Sequence, residues 1–253
     1  MDIPVLWQFT YSHFNEKARW ALDFKGIRHV RHSLLPGPHL LKVKRMTGQT
    51  AVPVLTLNGV TIFDSSRIIE VLERSYPAPP LYPADLAERK RALELEDFFD
   101  EELGPFFRRW FFHTVLDYPD YVANLFACDS SAAARLAYRA AFPALVPVLK
   151  RAMDITPATA EIARQKTMAA LDRIERELRP SGYLVGDRFS VADLTAAALC
   201  SPMVMAPEFP YRPAAPPPDA VAKMQAALSE RTALKWVTDI YRRHRGASAA
   251  VAA

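Results

Sequence analysis

Cysteine is almost absent from this 253-residue chain: Cys128 and Cys200 stand far apart and outside any metal-type spacing. A disulfide framework is excluded, and a reducing, cytoplasmic setting fits. No uninterrupted apolar run approaches the ~18 residues of a membrane span. The N-terminus lacks the basic, apolar, small-residue order of a secretion signal, so no membrane association is expected. Charge of one sign is also scarce. The net charge is +4, and all of it falls within residues 1–80, which hold ten Lys and Arg against six Asp and Glu. Four of the six histidines (His13, His29, His32, His39) share that region. The excess is too small and scattered for nucleic acid. It favours a small anionic ligand on the N-terminal part.

What is present begins with Ile3-Pro-Val-Leu-Trp-Gln-Phe9, an apolar run of strand length. Phe14, Ala18 and Leu22 then recur at helical spacing, and Gly26 stands at a helix C′ position. A strand therefore ends, a loop carries Tyr11 and Ser12, and a helix over 14–25 begins just beyond. A hydroxyl there faces unpaired backbone N–H groups and the positive end of a helix dipole, a place that stabilises an anion such as a thiolate.

The rest of residues 1–78 predicts the order β-α-β-α-β-β-α. Residues 28–33 form a second strand, read as an edge from its charges. A short helix covers 39–45. Strands over 52–57 and 60–63 flank the hairpin signal Asn58-Gly59. Asp64-Ser65-Ser66 starts a helix carrying Ile68, Ile69 and Leu72. Pro77-Ala-Pro-Pro80 ends this unit. From about residue 85 the pattern is helical: a long helix over 84–116 interrupted near Gly104-Pro105, stretches at 119–127 and 131–153 with Pro143 and Pro147 breaking the second, then 157–178, 190–206, 219–229 and 232–245. The six prolines of 207–218 predict an irregular connection. Residues 246–253 are small and are expected to be disordered. The fold class is α/β plus all-α: a domain over 1–78 and an all-helical domain over 86–245.

The segment Ser12-His13-Phe14-Asn15-Glu16-Lys17-Ala18-Arg19, continued by Ala21-Leu22 and Lys25-Gly26-Ile27, resembles the active-site segment of the cytosolic glutathione transferases. Its pattern is nearest the serine, cysteine, tau and omega-like branch. His13 replaces the usual proline, and Asn15 stands where many relatives have a cysteine or small residue. Gly186-Asp-Arg-Phe-Ser190-Val-Ala-Asp193-Leu194 resembles a C-terminal motif of the same family. Its Ser-x-x-Asp is a capping box for a buried helix and is not counted as a site. The likeness covers about 1–116 and 157–245, and leaves 117–156 unassigned.

That resemblance implies a thioredoxin-like N-terminal domain, glutathione as co-substrate, no metal, a small-molecule electrophile and a homodimer. Ser12 is the expected hydroxyl donor to the glutathione sulfur, with Tyr11 as its rival. Taken alone, Ser12 reads as a helix cap. Phe14 belongs to the same site. Val52-Pro53 is expected to present backbone groups to the tripeptide in the manner of an added strand. Ser65, at a helix N-terminus, would hold the γ-glutamyl carboxylate and Asp64 its ammonium, although both also read as caps. His39 would take the glycine carboxylate, with Gln49 and Thr50 as alternatives; a surface histidine is nearly as good a reading. Phe107, Trp110 and Phe111, in an aromatic run otherwise typical of a core, are placed in the electrophile pocket. With no cysteine at 12 or 15, no protein sulfur is positioned for a mixed disulfide.

Overall fold

Strand β1 (Val5–Gln8) is the middle strand of the sheet in the computed structural model, which describes residues 2–252. Five strands lie in the order β4-β3-β1-β2-β5. β1 pairs in parallel with β2 (His29–Ser33), Val5 opposite Val30, and antiparallel with β3 (Val54–Leu57), Val5 opposite Thr56. A parallel neighbour requires a crossover, and α1 (His13–Phe24) supplies it. Ala18, Trp20, Ala21 and Leu22 of α1 are completely withdrawn from solvent. The β3–β4 hairpin turns on Asn58 and Gly59, both with positive φ (50° and 77°), and β4 covers Val60–Phe63. α2 spans His39–Thr47, and α3, Ser65–Ser75, buries Ile68, Ile69 and Leu72.

β2 is not an edge strand. Chain end β5 (Ala250–Val251) pairs with it in parallel, His29 opposite Ala250. The expected disorder of 246–253 is corrected over its described part, with Ala253 outside the described residues. The seat has a polar cause: the buried Asp23 carboxylate accepts the Ala249 N–H at 2.8 Å and the Ser248 hydroxyl at 3.3 Å. Arg31 of β2 also pairs with Asp23, at 2.6 Å, so a charge that suggested an exposed edge is spent inward.

The helical domain follows as α4 (Leu86–Glu102), α5 (Gly104–Val115), α6 (Pro119–Phe126), α7 (Ala132–Ala152), α8 (Pro157–Glu177), α9 (Val191–Leu199), α10 (Ser201–Val204), α11 (Asp219–Ser229) and α12 (Thr232–His244). The architecture is a thioredoxin-like domain joined to an all-α domain. Every residue of α9 is buried, and this helix packs against both α1 and α4. Its N-terminus carries the capping box: Asp193 accepts from Ser190 N at 2.9 Å and Ser190 Oγ at 2.8 Å. The single helix expected over 190–206 divides at Cys200, because Pro202 has no N–H to continue the ladder.

Pro143 and Pro147 do not break α7. Both are exposed, on the solvent side of the helix, where water can satisfy carbonyls that lack an N–H partner. Tyr138 and Phe142 form its buried face. By length and composition (21 residues, hydropathy 1.2) α7 is also apolar enough to cross a membrane. The sequence reading missed this because Arg135 and Arg139 interrupt the apolar run without lowering its mean far enough.

The domains are joined by charge as well as by packing. Lys17 of α1 lies 2.8 Å from Glu96 and 2.5 Å from Asp100, both on α4. Burial works against its charge, but the two carboxylates prevail and raise its pKa. Gly104, at the start of α5, meets the Phe14 ring so closely that any Cβ there would collide with it.

Candidate active site

Ser12 has extended backbone (φ −103°, ψ 128°) and is the N-cap of α1, where its Oγ accepts the Asn15 N–H at a long 3.4 Å. Oγ is the acceptor in that bond, so its hydroxyl hydrogen is still available to an external acceptor. The loop beneath is pinned by a buried cation. Arg19 donates to the Phe9 carbonyl at 3.2 Å, the Ser12 carbonyl at 3.4 Å and Gln8 Oε1 at 2.8 Å. Its Nε pairs with Glu16 at 2.9 Å. Two basic residues of the Ser12–Arg19 segment therefore do different jobs: Arg19 holds the Ser12 loop and Lys17 holds the other domain.

A cavity of about 740 Å³ opens between the domains. Tyr11, Ser12, Phe14, His39 and Val52 line it from the first domain, and Phe107 and Phe111 from α5. Thr50, the alternative to His39, also lies on its wall, whereas Gln49 is folded back onto Ala51. Pro53, Asp64 and Ser65 are not on its wall. Val52–Pro53 is a cis peptide, and Val52 precedes the first residue of the sheet ladder.

Asp64, not Ser65, is the N-cap of α3, with φ 73°. Its Oδ1 accepts both Ser66 N (2.9 Å) and Arg67 N (3.1 Å), so Oδ2 has no partner among the described residues. Ser65 is the first helical residue and is buried.

Trp110 also misses the cavity, and here the assignment from sequence is corrected. At about 100° per residue, Phe107, Arg108, Phe111, Phe112 and Val115 share one face of α5 and line the cavity. Trp110 points well away from that face and packs edge-on against Phe107, ring centroids 6.3 Å apart.

Burial, aided by Cys128 and Asp129, pushes the Tyr11 hydroxyl pKa well up, so Tyr11 stays protonated and can only donate or accept a hydrogen bond. His13 is pushed down to about 3 by burial and by Arg108, and is therefore neutral. Among the described residues its Nε2 has no partner, and neither does the side-chain amide of Asn15. Burial also lowers the pKa of His39, against backbone groups of Thr50 and Leu35; its Nδ1 accepts the Gly37 N–H at 3.0 Å.

Sequence reasoning missed two features. Asp129, in the α6–α7 connection, accepts the Thr10 hydroxyl at 2.9 Å and the Ser33 hydroxyl at 2.5 Å. That clamps the unassigned segment onto the loop before Ser12, and no local spacing signals a contact across 119 positions. Arg108 lies inside an aromatic run that reads as core, yet its side chain opens into the cavity.

Comparison with known proteins places this geometry. The model of the glutathione S-transferase N-terminal domain matches residues 6–80, and that of the glutathione S-transferase C-terminal domain matches residues 132–222. A maleylpyruvate isomerase from a Ralstonia species is 30% identical over 130 residues, 50% of this chain and 58% of that protein. A probable glutathione S-transferase from Nicotiana tabacum is 29% identical over 40% of this chain and 48% of that protein. The match thus spans about half the length of these curated relatives. Among solved structures, a glutathione S-transferase from Methylobacterium radiotolerans in complex with glutathione sulfonate is 22% identical, with TM-score 0.57, covering 92% of this chain and 93% of that one. The beta-etherase LigF from Sphingobium sp. strain SYK-6 is 19% identical, with TM-score 0.60, covering 94% and 99%. These two likenesses are of fold.

Proposed function

Given that the chain belongs to the cytosolic glutathione S-transferase family, we propose that it conjugates the thiolate of glutathione to a small, mostly apolar electrophile. The observation that carries this reading is Ser12 itself. Its hydroxyl stands on the cavity wall at the N-terminus of α1, held by a single 3.4 Å bond. A free thiol titrates near ~8.5, and a donated hydrogen bond together with the helix dipole favours its anion. Tyr11, kept protonated by burial, is the second donor in reach of the same wall.

The same reading assigns the remaining roles. Backbone groups of Val52, set by Pro53, receive the cysteinyl part of the tripeptide. Oδ2 of Asp64 takes the ammonium, Ser65 at the start of α3 takes the γ-glutamyl carboxylate, and His39 takes the glycine carboxylate. Phe14 walls the sulfur, and Phe107 and Phe111 contact the electrophile, whose attack releases a leaving group or forms an adduct. The working form is a cytoplasmic homodimer.

A second reading has one observation in its favour, the 30% identity to a protein named maleylpyruvate isomerase. In an isomerase the thiolate adds and is then expelled, so glutathione is not consumed. The test is calorimetric titration with glutathione followed by turnover of an aryl chloride. Binding with stoichiometric loss of glutathione thiol supports conjugation. Turnover of an unsaturated substrate without thiol loss supports isomerisation. Binding with neither makes the protein a non-catalytic glutathione binder.

A further inference from the structure

Arg108 is a cation without a counter-ion among the described residues. It projects from α5 into the cavity, its Cζ 6.0 Å from the centre of the Phe14 ring. Its neighbour Arg109 donates to the Met153 carbonyl at 2.9 Å and lies 3.9 Å from Asp154. Arg108 makes no hydrogen bond and no ion pair to any described residue. Among the described residues no Asp or Glu lines the cavity, whose walls are mostly Phe, Leu, Val, Met and Pro. The second guanidinium there, Arg212, is already donating to the Met205 carbonyl at 3.3 Å and to the Pro207 carbonyl.

A guanidinium remains charged at any physiological pH. Arg108 is exposed, so solvent rather than a protein anion balances its charge, while the apolar walls on its cavity side hold its pKa down. Its N–H donors are therefore free to exchange solvent for an anion that a ligand brings into the cavity. Arg pairs best with planar anions, through two parallel N–H···O bonds.

We propose that the second substrate is an apolar or aromatic carboxylate, its body against Phe107 and Phe111 and its anion on Arg108. This deepens the proposed function and rests on it for the reaction, though not for the charge. Glutathione also carries carboxylates, so the shared chemistry has two sources. The residues assigned to the tripeptide's ends, Asp64, Ser65 and His39, all belong to the first domain, whereas Arg108 stands on the opposite wall.

The experiment is calorimetric binding of naphthoate and of its uncharged methyl ester, each with and without saturating S-methylglutathione, which cannot react. The wild type should bind naphthoate about tenfold or more tightly than the ester, the range expected of a hydrogen bond to a charged group. Arg108→Met should erase that preference and leave the ester unchanged, and Arg108→Lys should keep part of it. S-methylglutathione should bind all three proteins within about twofold, because it makes no pair with Arg108. Equal binding of acid and ester by the wild type overturns the inference. So does mutual displacement of naphthoate and S-methylglutathione together with a tenfold loss of the latter in Arg108→Met, which would assign Arg108 to glutathione. A wild type that ignores S-methylglutathione yet prefers the acid through Arg108 would refute the glutathione reading and uphold this one.

Discussion

The Arg245 guanidinium, just past the end of α12, lies 2.6 Å from the Glu16 carboxylate of α1, and both side chains are shut off from solvent. Each partner is shared. Arg245 also reaches Asp23 at 2.9 Å, and Glu16 also holds Arg19, whose other nitrogens grip the loop before Ser12. Burial opposes the Arg245 charge, but Glu16 and Asp23 outweigh it and raise its pKa. Removing one member of a buried pair leaves the other unpaired, at about 3–5 kcal/mol. Arg245→Met and Glu16→Gln should each lower stability by that order in urea unfolding. The double variant should lose less than their sum by roughly 0.5–3 kcal/mol. Strict additivity would show that the contact carries nothing of its own.

Ser12→Ala removes a donor while leaving the helix dipole and backbone amides. Tripeptide affinity should change little. The thiol pKa of the bound complex should rise by about one to two units, equivalent to ~1.5–3 kcal/mol for a bond to a charged group. Turnover near neutral pH should then fall roughly tenfold or more. Ultraviolet thiolate absorbance against pH, with wild type beside Ser12→Ala and Tyr11→Phe, checks this. A curve moved only by Tyr11→Phe would transfer the role to Tyr11.

Asp64 is tested by Asn rather than Ala. Asn keeps a side-chain oxygen for the two capping bonds and is close in size to Asp. Only the charge on Oδ2 is lost. Glutathione affinity should weaken by roughly 1.5–3 kcal/mol with the melting temperature nearly unchanged. Unaltered affinity would mean that the ammonium is held elsewhere.

His13 occupies the first position of α1, after an extended Ser12. Both conditions suit proline, which needs no N–H there and favours an extended predecessor. His13→Pro should therefore fold. It should also change the response to acid. The folded pKa of His13 is about 3 against 6.5 unfolded, so as pH falls below 6.5 the unfolded chain takes the proton first. Native stability then declines by up to about 1.4 kcal/mol per pH unit, until the folded pKa is reached. Urea midpoints measured across that window should slope less in His13→Pro than in the wild type. Identical slopes would show that His13 is protonated equally in both states.

The elements most legible in the sequence were those whose signals are local. Apolar spacing gave α1 and α3, Asn58-Gly59 gave the β3–β4 turn, and Ser190-x-x-Asp193 gave the start of α9. Errors arose where the deciding partner is distant. β2 looked like an edge because the Asp23 and Arg31 pair, and the strand laid beside it, are invisible from residues 28–33 alone. Pro143 and Pro147 looked like breaks because their exposure is set by how α7 packs. In the site, Ser12 and Val52 were visible through their motif. Trp110 was drawn in by composition, while Arg108 on the cavity face was passed over for the same reason: an aromatic run announces burial but not which side of the helix faces the ligand.

The short strand at Ala250–Val251 makes the sheet a joint product of both ends of the chain. A fragment ending after α3 would keep β1 to β4 but present β2 with a bare flank and leave Asp23 without the Ala249 N–H, the Ser248 hydroxyl and the Arg245 guanidinium. The proline linker near residue 80 is thus the boundary by element order, but not a seam along which the protein can be recombined. A chimera spliced there would inherit its fifth strand from a foreign helical half. To graft the thioredoxin-like unit intact, residues 245–251 have to travel with it.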